Sequence, residues 1–123
     1  MPPFLAMTVV APVLSPRSRR SGDCCAAAVP PDLGAGPAAS LASVAKALGD
    51  PTRLQIVDVI RRSAPNAVCQ CELVPLFDMT QPGLAKHLRV LVDAGVLASQ
   101  RRGTWTYYYA RPGGLEELTT WLS

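Results

Sequence analysis

The four cysteines of this chain occur in two closely spaced pairs, Cys24-Cys25 and Cys69-Gln70-Cys71. Thiolates are soft ligands and are the groups that oxidants attack, so clustered thiols are typical of a soft-ion site or a redox switch. Arsenite and antimonite take three sulfurs in a pyramid, whereas Cd(II) and Pb(II) accept three or four. We therefore expect Cys24 and Cys25, together with one or both of Cys69 and Cys71, to bind one such ion.

The second pair needs a particular backbone in order to hold an ion. Residues i and i+2 do not face each other on a regular helix, so Cys69 and Cys71 can meet only at a helix start or in a distorted segment. Pro75 favours such a distortion, and a helix N-terminus also stabilises thiolates. The first pair can reach this place, because about 12 residues separate it from the first predicted helix and an extended chain of that length spans roughly 40 Å.

Composition and charge restrict the class of protein. Lys and Arg number 12 against 9 Asp and Glu, which permits a nucleic-acid partner without demanding one. No apolar run approaches the roughly 18 residues that a membrane span needs, and the N-terminal charges follow the apolar stretch, the reverse of a signal peptide. We expect a cytoplasmic protein with no membrane partner, in which thiols stay reduced. An enzyme is not expected, because no glycine-rich or arginine-backed oxyanion loop surrounds either thiol pair.

Residues 1 to 37 differ in composition from the rest of the chain. They contain seven of the twelve prolines, with Ala, Ser and Gly between them. Such a segment cannot bury enough apolar surface to offset its ordering entropy, so we predict a flexible N-terminal arm that carries Cys24-Cys25. Residues 38 to 123 are predicted to form one folded domain.

Apolar periodicity and capping residues predict the elements of that domain. Asp50 and Thr80 are predicted N-caps, and Gly95 ends the fourth helix. The period then changes to two, which predicts a β-hairpin with Arg102-Gly103 as its turn. The predicted fold is mainly α with a β-hairpin wing: helices at 38 to 48, 51 to 62, 72 to 77, 81 to 94 and 115 to 122, a very short strand at 67 to 68, and hairpin strands at 96 to 101 and 104 to 110.

A helix, a short connection, a second helix and an arginine-tipped hairpin form the layout of a winged helix-turn-helix. The N-terminal, solvent-facing residues of the second helix then lie against base edges in the major groove. The hairpin tip contacts phosphates or enters the minor groove. The predicted DNA-contacting residues are Thr80, Gln81, Gly83, Lys86 and Arg89 on the helix, with Arg101 and Arg102 at the hairpin tip.

The sequence resembles the ArsR/SmtB family of metal-responsive repressors, in stretches that run in order over residues 40 to 110. These stretches are Lys46-Ala47-Leu48-Gly49-Asp50-Pro51-Thr52-Arg53-Leu54, Cys69-Gln70-Cys71-Glu72-Leu73, Thr80-Gln81-Pro82, His87-Leu88, Leu91, Ala94-Gly95-Val96-Leu97 and Arg102-Gly103-Thr104-Trp105.

The resemblance implies a homodimer that binds a two-fold-symmetric operator in double-stranded DNA and leaves it when an ion binds. The first and last helices would join the protomers, so residues 38 to 123 become a DNA-binding and dimerisation domain. One departure concerns the bases that are read, because Gly83 and Ala85 stand where the family usually has hydroxyl residues. His87, beside the apolar face of the same helix, is predicted to be a structural residue. The apolar faces consistent with the dimer interface are Leu41, Val44 and Leu48, and Leu115, Leu118 and Trp121.

The arsenic-sensing branch of the family is similar to this chain in its Cys-x-Cys at the start of the third helix, although Val74 stands where some members have a third cysteine. Cys24-Cys25 resembles the alternative arrangement of that branch and, with different spacing, of cadmium/lead sensors. We expect a repressor released by As(III) or Sb(III), without an organic cofactor. Two alternatives stay open: a Cd(II)/Pb(II)-responsive repressor, and a DNA-binding regulator switched by thiol oxidation.

Overall fold

Five helices and a three-stranded sheet build the part of the chain that the computed structural model describes, residues 29 to 123. The predicted fold, mainly α with a β-hairpin wing, is confirmed. None of the helices within this range is long and apolar enough to cross a membrane. In chain order the elements are α1 (Ala35–Leu48), α2 (Pro51–Arg62), β1 (Val68–Cys69), α3 (Gln70–Leu73) followed by a 3₁₀ turn (Val74–Leu76), α4 (Gln81–Asp93), β2 (Leu97–Arg102), β3 (Trp105–Ala110) and α5 (Glu116–Leu122).

Side-chain caps fix the starts of α2 and α4, as predicted. The Arg53 N–H donates to Asp50 Oδ2 at 3.0 Å, and the Gly83 N–H donates to Thr80 Oγ1 at 3.2 Å. Each cap satisfies one of the backbone donors that a helix N-terminus leaves free.

The first helix begins three residues before the predicted start, at Ala35 rather than Ala38. The prediction treated Pro37 as part of the N-terminal arm. In the structure Pro37 lies in the first turn of α1, where its missing N–H has no intrahelical acceptor and therefore costs nothing.

The third helix also departs from the prediction of 72 to 77. It begins at Gln70, directly after the strand residue Cys69, and lasts four residues. Pro75 is the second residue of the 3₁₀ turn that follows. Proline cannot continue an α-helical hydrogen-bond ladder, so the shortened helix and the changed pitch follow from its position.

The sheet has the order β1-β3-β2, and all its pairs are antiparallel. The predicted hairpin turn is shifted by one residue, because Arg102 pairs with Trp105 and leaves Gly103-Thr104 as the two-residue connection. Gly103 has φ +63°, whereas no residue other than glycine has a positive φ in the described part of the chain. A positive φ at Gly103 followed by a negative φ at Thr104 is typical of a type II′ turn, whose twist matches that of the two strands.

The hydrophobic core lies between the helices and the inner face of the sheet. Leu84, Leu88 and Leu91 of α4 are fully buried in it. On α1, Leu41 is buried within the protomer, and Val44 and Leu48 pack against the core. Val44 and Leu48 are half-buried, so the protomer does not cover this face completely, and its place in a dimer interface stays a prediction.

The end of α4 lies against the chain segment that leads into α5. Gly95 has φ +80°, a backbone conformation that residues with a side chain rarely adopt. A Cβ atom on Gly114 would lie 2.5 Å from the Gly95 carbonyl oxygen. Only a residue without a side chain permits this backbone approach, which joins the last helical segment to the C-terminus of α4.

Candidate DNA interface and thiol pair

The predicted DNA-contacting residues of α4 are mostly exposed. Thr80, Gln81, Lys86 and Arg89 lie at the surface, whereas Gly83 is half-buried. A Cβ atom on Gly83 would lie 3.2 Å from Thr80 Oγ1, so Gly83 packs against the N-cap. The structure thus presents two cationic side chains and two short polar ones along the exposed surface of α4.

The hairpin adds two further cations, since Arg101 and Arg102 are exposed at the end of β2. Arg101 Nε donates to the Gly103 carbonyl oxygen at 3.3 Å, which holds the side chain towards the turn. Within residues 29 to 123 the one ion pair joins Arg62 and Asp58 on α2. No carboxylate of that range therefore neutralises the cations of α4 or the hairpin by direct contact.

Cys69 and Cys71 lie side by side but in different environments. Cys69 ends β1, is 2% exposed and is the N-cap of α3. Its Sγ accepts a hydrogen bond from the Cys71 N–H at 3.3 Å. Cys71 is exposed on the first turn of α3. The helix therefore starts between the two thiols, two residues earlier than predicted, and both cysteines lie at its N-terminal end.

The protonation of this pair differs from what the helix start suggested. The Cys71 thiol donates a hydrogen bond to the Cys69 side chain, and this bond, followed by desolvation and by the charges of Cys69 and Glu72, raises the pKa of the Cys71 thiol. The backbone hydrogen bond at Cys71 lowers this pKa, as expected at a helix start, but it is outweighed by the effects that raise it.

The other two predicted ligands, Cys24 and Cys25, lie outside the described residues. Among residues 29 to 123, no group of three or more His, Cys, Asp or Glu side chains could hold a metal ion. The structure thus brings together two of the four predicted sulfurs.

Gln70, between the two thiols, makes a contact that the sequence did not predict. Its side-chain Nε2 donates to the Gln81 carbonyl oxygen at 3.5 Å, a long hydrogen bond to the first residue of α4. Cys69, on its other side, pairs with Tyr107 of β3. The thiol segment therefore contacts α4 directly and pairs with β3, the strand next to the one that carries Arg101 and Arg102.

Arg53 is a second residue whose role the sequence did not reveal. Its Nε donates to the Ala47 carbonyl oxygen at 2.6 Å, at the end of α1. Its Nη1 lies 3.4 Å from His87 Nδ1 on α4, and its Nη2 lies 3.5 Å from the Lys46 carbonyl oxygen. Arg53 therefore links three helices, and His87 has the structural role predicted for it.

Known proteins resemble this chain in sequence over most of the described range. The model of the family described as "Bacterial regulatory protein, arsR family" matches residues 50 to 99. An uncharacterised HTH-type transcriptional regulator of Methanocaldococcus jannaschii is 32% identical over 77 residues, which are 63% of this chain and 84% of that protein. An arsenical resistance operon repressor of Bacillus subtilis is 39% identical over 64 residues, 51% of this chain and 58% of the repressor. The chain thus spans less than two thirds of that repressor's length.

Solved structures show the same fold. An ArsR-like transcriptional regulator from Rhodococcus sp. RHA1 matches with a TM-score of 0.61 and 30% identity, over 71% of this chain and 79% of that one. A possible ArsR-family regulator from Mycobacterium bovis, described as a homodimeric winged helix-turn-helix DNA-binding domain, matches with a TM-score of 0.61 and 24% identity, over 78% of this chain and 86% of that one. At that identity the second likeness supports the fold alone.

Proposed function

This chain belongs to the ArsR family of bacterial transcriptional regulators, and from that premise we propose that it is a repressor controlled by As(III) or Sb(III). In this proposal a homodimer binds double-stranded operator DNA of two-fold symmetry. Binding of the ion to cysteine thiolates lowers the affinity for DNA. The observation that carries the proposal is the thiol pair Cys69 and Cys71 at the start of the helix that precedes α4.

The DNA-binding half of the proposal rests on exposed cations that no carboxylate of residues 29 to 123 pairs with. Lys86 and Arg89 on α4, with Arg101 and Arg102 on the hairpin, match the positions at which a winged helix contacts phosphates and groove edges. Thr80 and Gln81 lie at the N-terminus of α4, where side chains reach base edges in the major groove. Neutralising phosphates releases counterions, so we expect the affinity to fall steeply with salt concentration.

The ion-binding half rests on the chemistry of the sulfurs. Arsenious acid can condense with a thiol: a sulfur–arsenic bond forms, an arsenic–hydroxide bond breaks, and the hydroxide leaves with the thiol proton as water. A raised thiol pKa at Cys71 does not prevent this reaction, because the proton is consumed in the step itself. Cys69 and Cys71 lie together at the start of α3, and in this proposal Cys24 or Cys25 supplies the third sulfur.

We assign dimerisation to the surface formed by α5 and the start of α1. Trp121 and Leu122 are 57% and 68% exposed. They adjoin a groove of about 370 Å³ whose apolar lining is Leu33, Pro37, Leu41 and Trp121. Exposed aromatic and aliphatic side chains beside a groove are typical of an interface core. A second copy of this chain is the proposed occupant, because a two-fold operator requires a two-fold protein.

The test uses the full chain and a duplex selected by it from a random-sequence library. Fluorescence anisotropy measures binding of that duplex with sodium arsenite, potassium antimonyl tartrate, cadmium chloride or hydrogen peroxide present. We expect release by arsenite and antimonyl. The response should disappear in a Cys69→Ser/Cys71→Ser variant and in a Cys24→Ser/Cys25→Ser variant, both of which still bind DNA. Release that persists in both serine variants contradicts the proposal.

The dependence on pH separates the candidate ligands. Condensation with arsenious acid releases no net proton, so its affinity should change little with pH. Cd(II) displaces a proton from each thiol, so its affinity should rise by up to roughly tenfold per pH unit for each thiol bound. Release by cadmium with that pH dependence assigns the protein as a Cd(II)/Pb(II) sensor. Release by peroxide alone assigns it as a redox switch.

A further inference from the structure

We infer that Gln70 transmits ion binding at its two flanking thiols to α4, through its amide contact with the Gln81 carbonyl oxygen. The inference rests on the proposed function and names the residue that couples its two halves. Allosteric coupling requires a contact that differs between the ion-free and ion-bound states. The Gln70–Gln81 contact joins the thiol segment directly to α4, at the end that carries the predicted base-reading residues.

The two thiols differ in how firmly the fold holds them. Cys69 is almost fully buried and is paired in the sheet with Tyr107, so it cannot move without opening β1. Cys71 is exposed on the first turn of a helix of four residues. Such a short helix has little intrinsic stability. When an ion bonds to both sulfurs, the adjustment therefore falls on Cys71 and on the residue between the thiols.

The residue between the thiols is Gln70, and its hydrogen bond to α4 is weaker than the backbone pairing that holds Cys69. The bond to Gln81 is 3.5 Å long and solvent-exposed, whereas the backbone ladder holds Cys69 to β3. When the Gln70 side chain turns away, its Nε2 no longer donates to the Gln81 carbonyl oxygen. The N-terminal turn of α4 then loses a contact that positions Gln81. The ion-free arrangement, with the bond formed, is the one that binds DNA.

The coupling is tested with Gln70→Leu, which removes the amide donor, and with Gln70→Asn, which keeps the amide but shortens its reach. Gln55→Leu, at an exposed glutamine on α2, is the matched control. Anisotropy with the selected duplex gives the DNA affinity with and without saturating sodium arsenite. The sulfur–arsenic charge-transfer absorption gives the arsenite affinity separately, without DNA.

We expect both Gln70 variants to bind arsenite as the wild type does. Without arsenite they should bind the duplex roughly two- to tenfold more weakly, the range that one net hydrogen bond supplies. Their further loss of affinity on adding arsenite should be smaller than that of the wild type by the same factor. Gln55→Leu should match the wild type in all three measurements.

Failure of the inference is distinguishable from failure of the proposed function. If the Gln70 variants keep the wild-type affinity and the wild-type response to arsenite, Gln70 does not carry the coupling, although the repressor function stands. If the wild type itself does not respond to arsenite, the proposed function fails and the inference fails with it. A Gln70 variant that no longer binds arsenite also overturns the inference, because Gln70 would then shape the thiol site and not its link to α4.

Discussion

Replacing Arg53 with methionine should lower the free energy of unfolding by about 2–4 kcal/mol, although Arg53 touches none of the proposed DNA- or ion-binding residues. The largest contribution is the charge-assisted bond from Nε to the Ala47 carbonyl oxygen at 2.6 Å, which is worth about 1.5–3 kcal/mol. A cation at the C-terminus of α1 adds about 0.3–1 kcal/mol through the helix dipole. The contacts to His87 and Lys46, at 3.4 and 3.5 Å, are long and add little. Methionine retains the packing of the aliphatic stem.

Thermal and urea unfolding followed by circular dichroism measure this loss. Each kcal/mol shifts the Tm of a domain of this size by about 4–8 °C, so we expect a decrease of about 8–32 °C. All variants must be compared at one protein concentration, because the Tm of a dimer depends on it.

Arg62→Met, on the same helix, is the matched control. Arg62 forms an ion pair with Asp58 at 3.8 Å, and the two side chains are 80% and 64% exposed. Such a pair contributes about 0.3–0.5 kcal/mol, so this variant should melt within a few degrees of the wild type. Equal losses in the two variants would refute the assignment of Arg53 as the link between α1, α2 and α4.

Four further outcomes follow from individual residues. Gly114→Ala should destabilise the chain by about 1–3 kcal/mol, because its Cβ would meet the Gly95 carbonyl oxygen at 2.5 Å. Gly36→Ala, in the first turn of α1 with open space around it, should stabilise the chain by about 0.4–1 kcal/mol, and urea midpoints of the two variants give both signs. The rate at which iodoacetamide alkylates Cys71, measured by mass spectrometry as a function of pH, should have its midpoint above the ordinary pKa of a thiol. The Cys69→Ala variant should have a lower midpoint. An unchanged midpoint would exclude the hydrogen bond between the thiols as the cause. The hydrogen bond from the Arg53 N–H holds the pKa of Asp50 below its ordinary value. The ionised Asp50 carboxylate therefore stabilises the fold fully at pH values above its unfolded-state pKa, and this stabilisation is lost as the pH falls through the folded-state pKa. Urea unfolding between about pH 2 and 5 should therefore show a steeper loss of stability in the wild type than in Asp50→Asn, which keeps the cap without the charge.

Features that depend on neighbours in the chain could be predicted from the sequence. Asp50 and Thr80 cap helices through residues three positions later, so spacing alone identifies them. The period change after Gly95 likewise marks the hairpin. The turn was displaced by one residue because either Arg102-Gly103 or Gly103-Thr104 places glycine in a two-residue loop. Cross-strand pairing decides between them.

Features that depend on contacts between distant residues could not be predicted. Cys69 is a strand residue because β3, almost 40 positions later, pairs with it. The raised pKa of Cys71 depends on the direction of the Cys69 side chain and on Glu72, which spacing does not give. Arg53 stood within a stretch that the family shares, but its partner His87 is 34 positions away.

The strand order β1-β3-β2 leaves β2 at one edge of the sheet. An edge strand offers unpaired backbone donors and acceptors to another hairpin, and charged side chains along it discourage that pairing. Arg101 and Arg102 end this edge strand, so they keep the wing soluble as well as basic. Neutral substitutions there would invite edge-to-edge self-association. Light scattering should therefore be used to test such variants for aggregation. Only a variant that does not aggregate can show whether Arg101 or Arg102 contacts DNA.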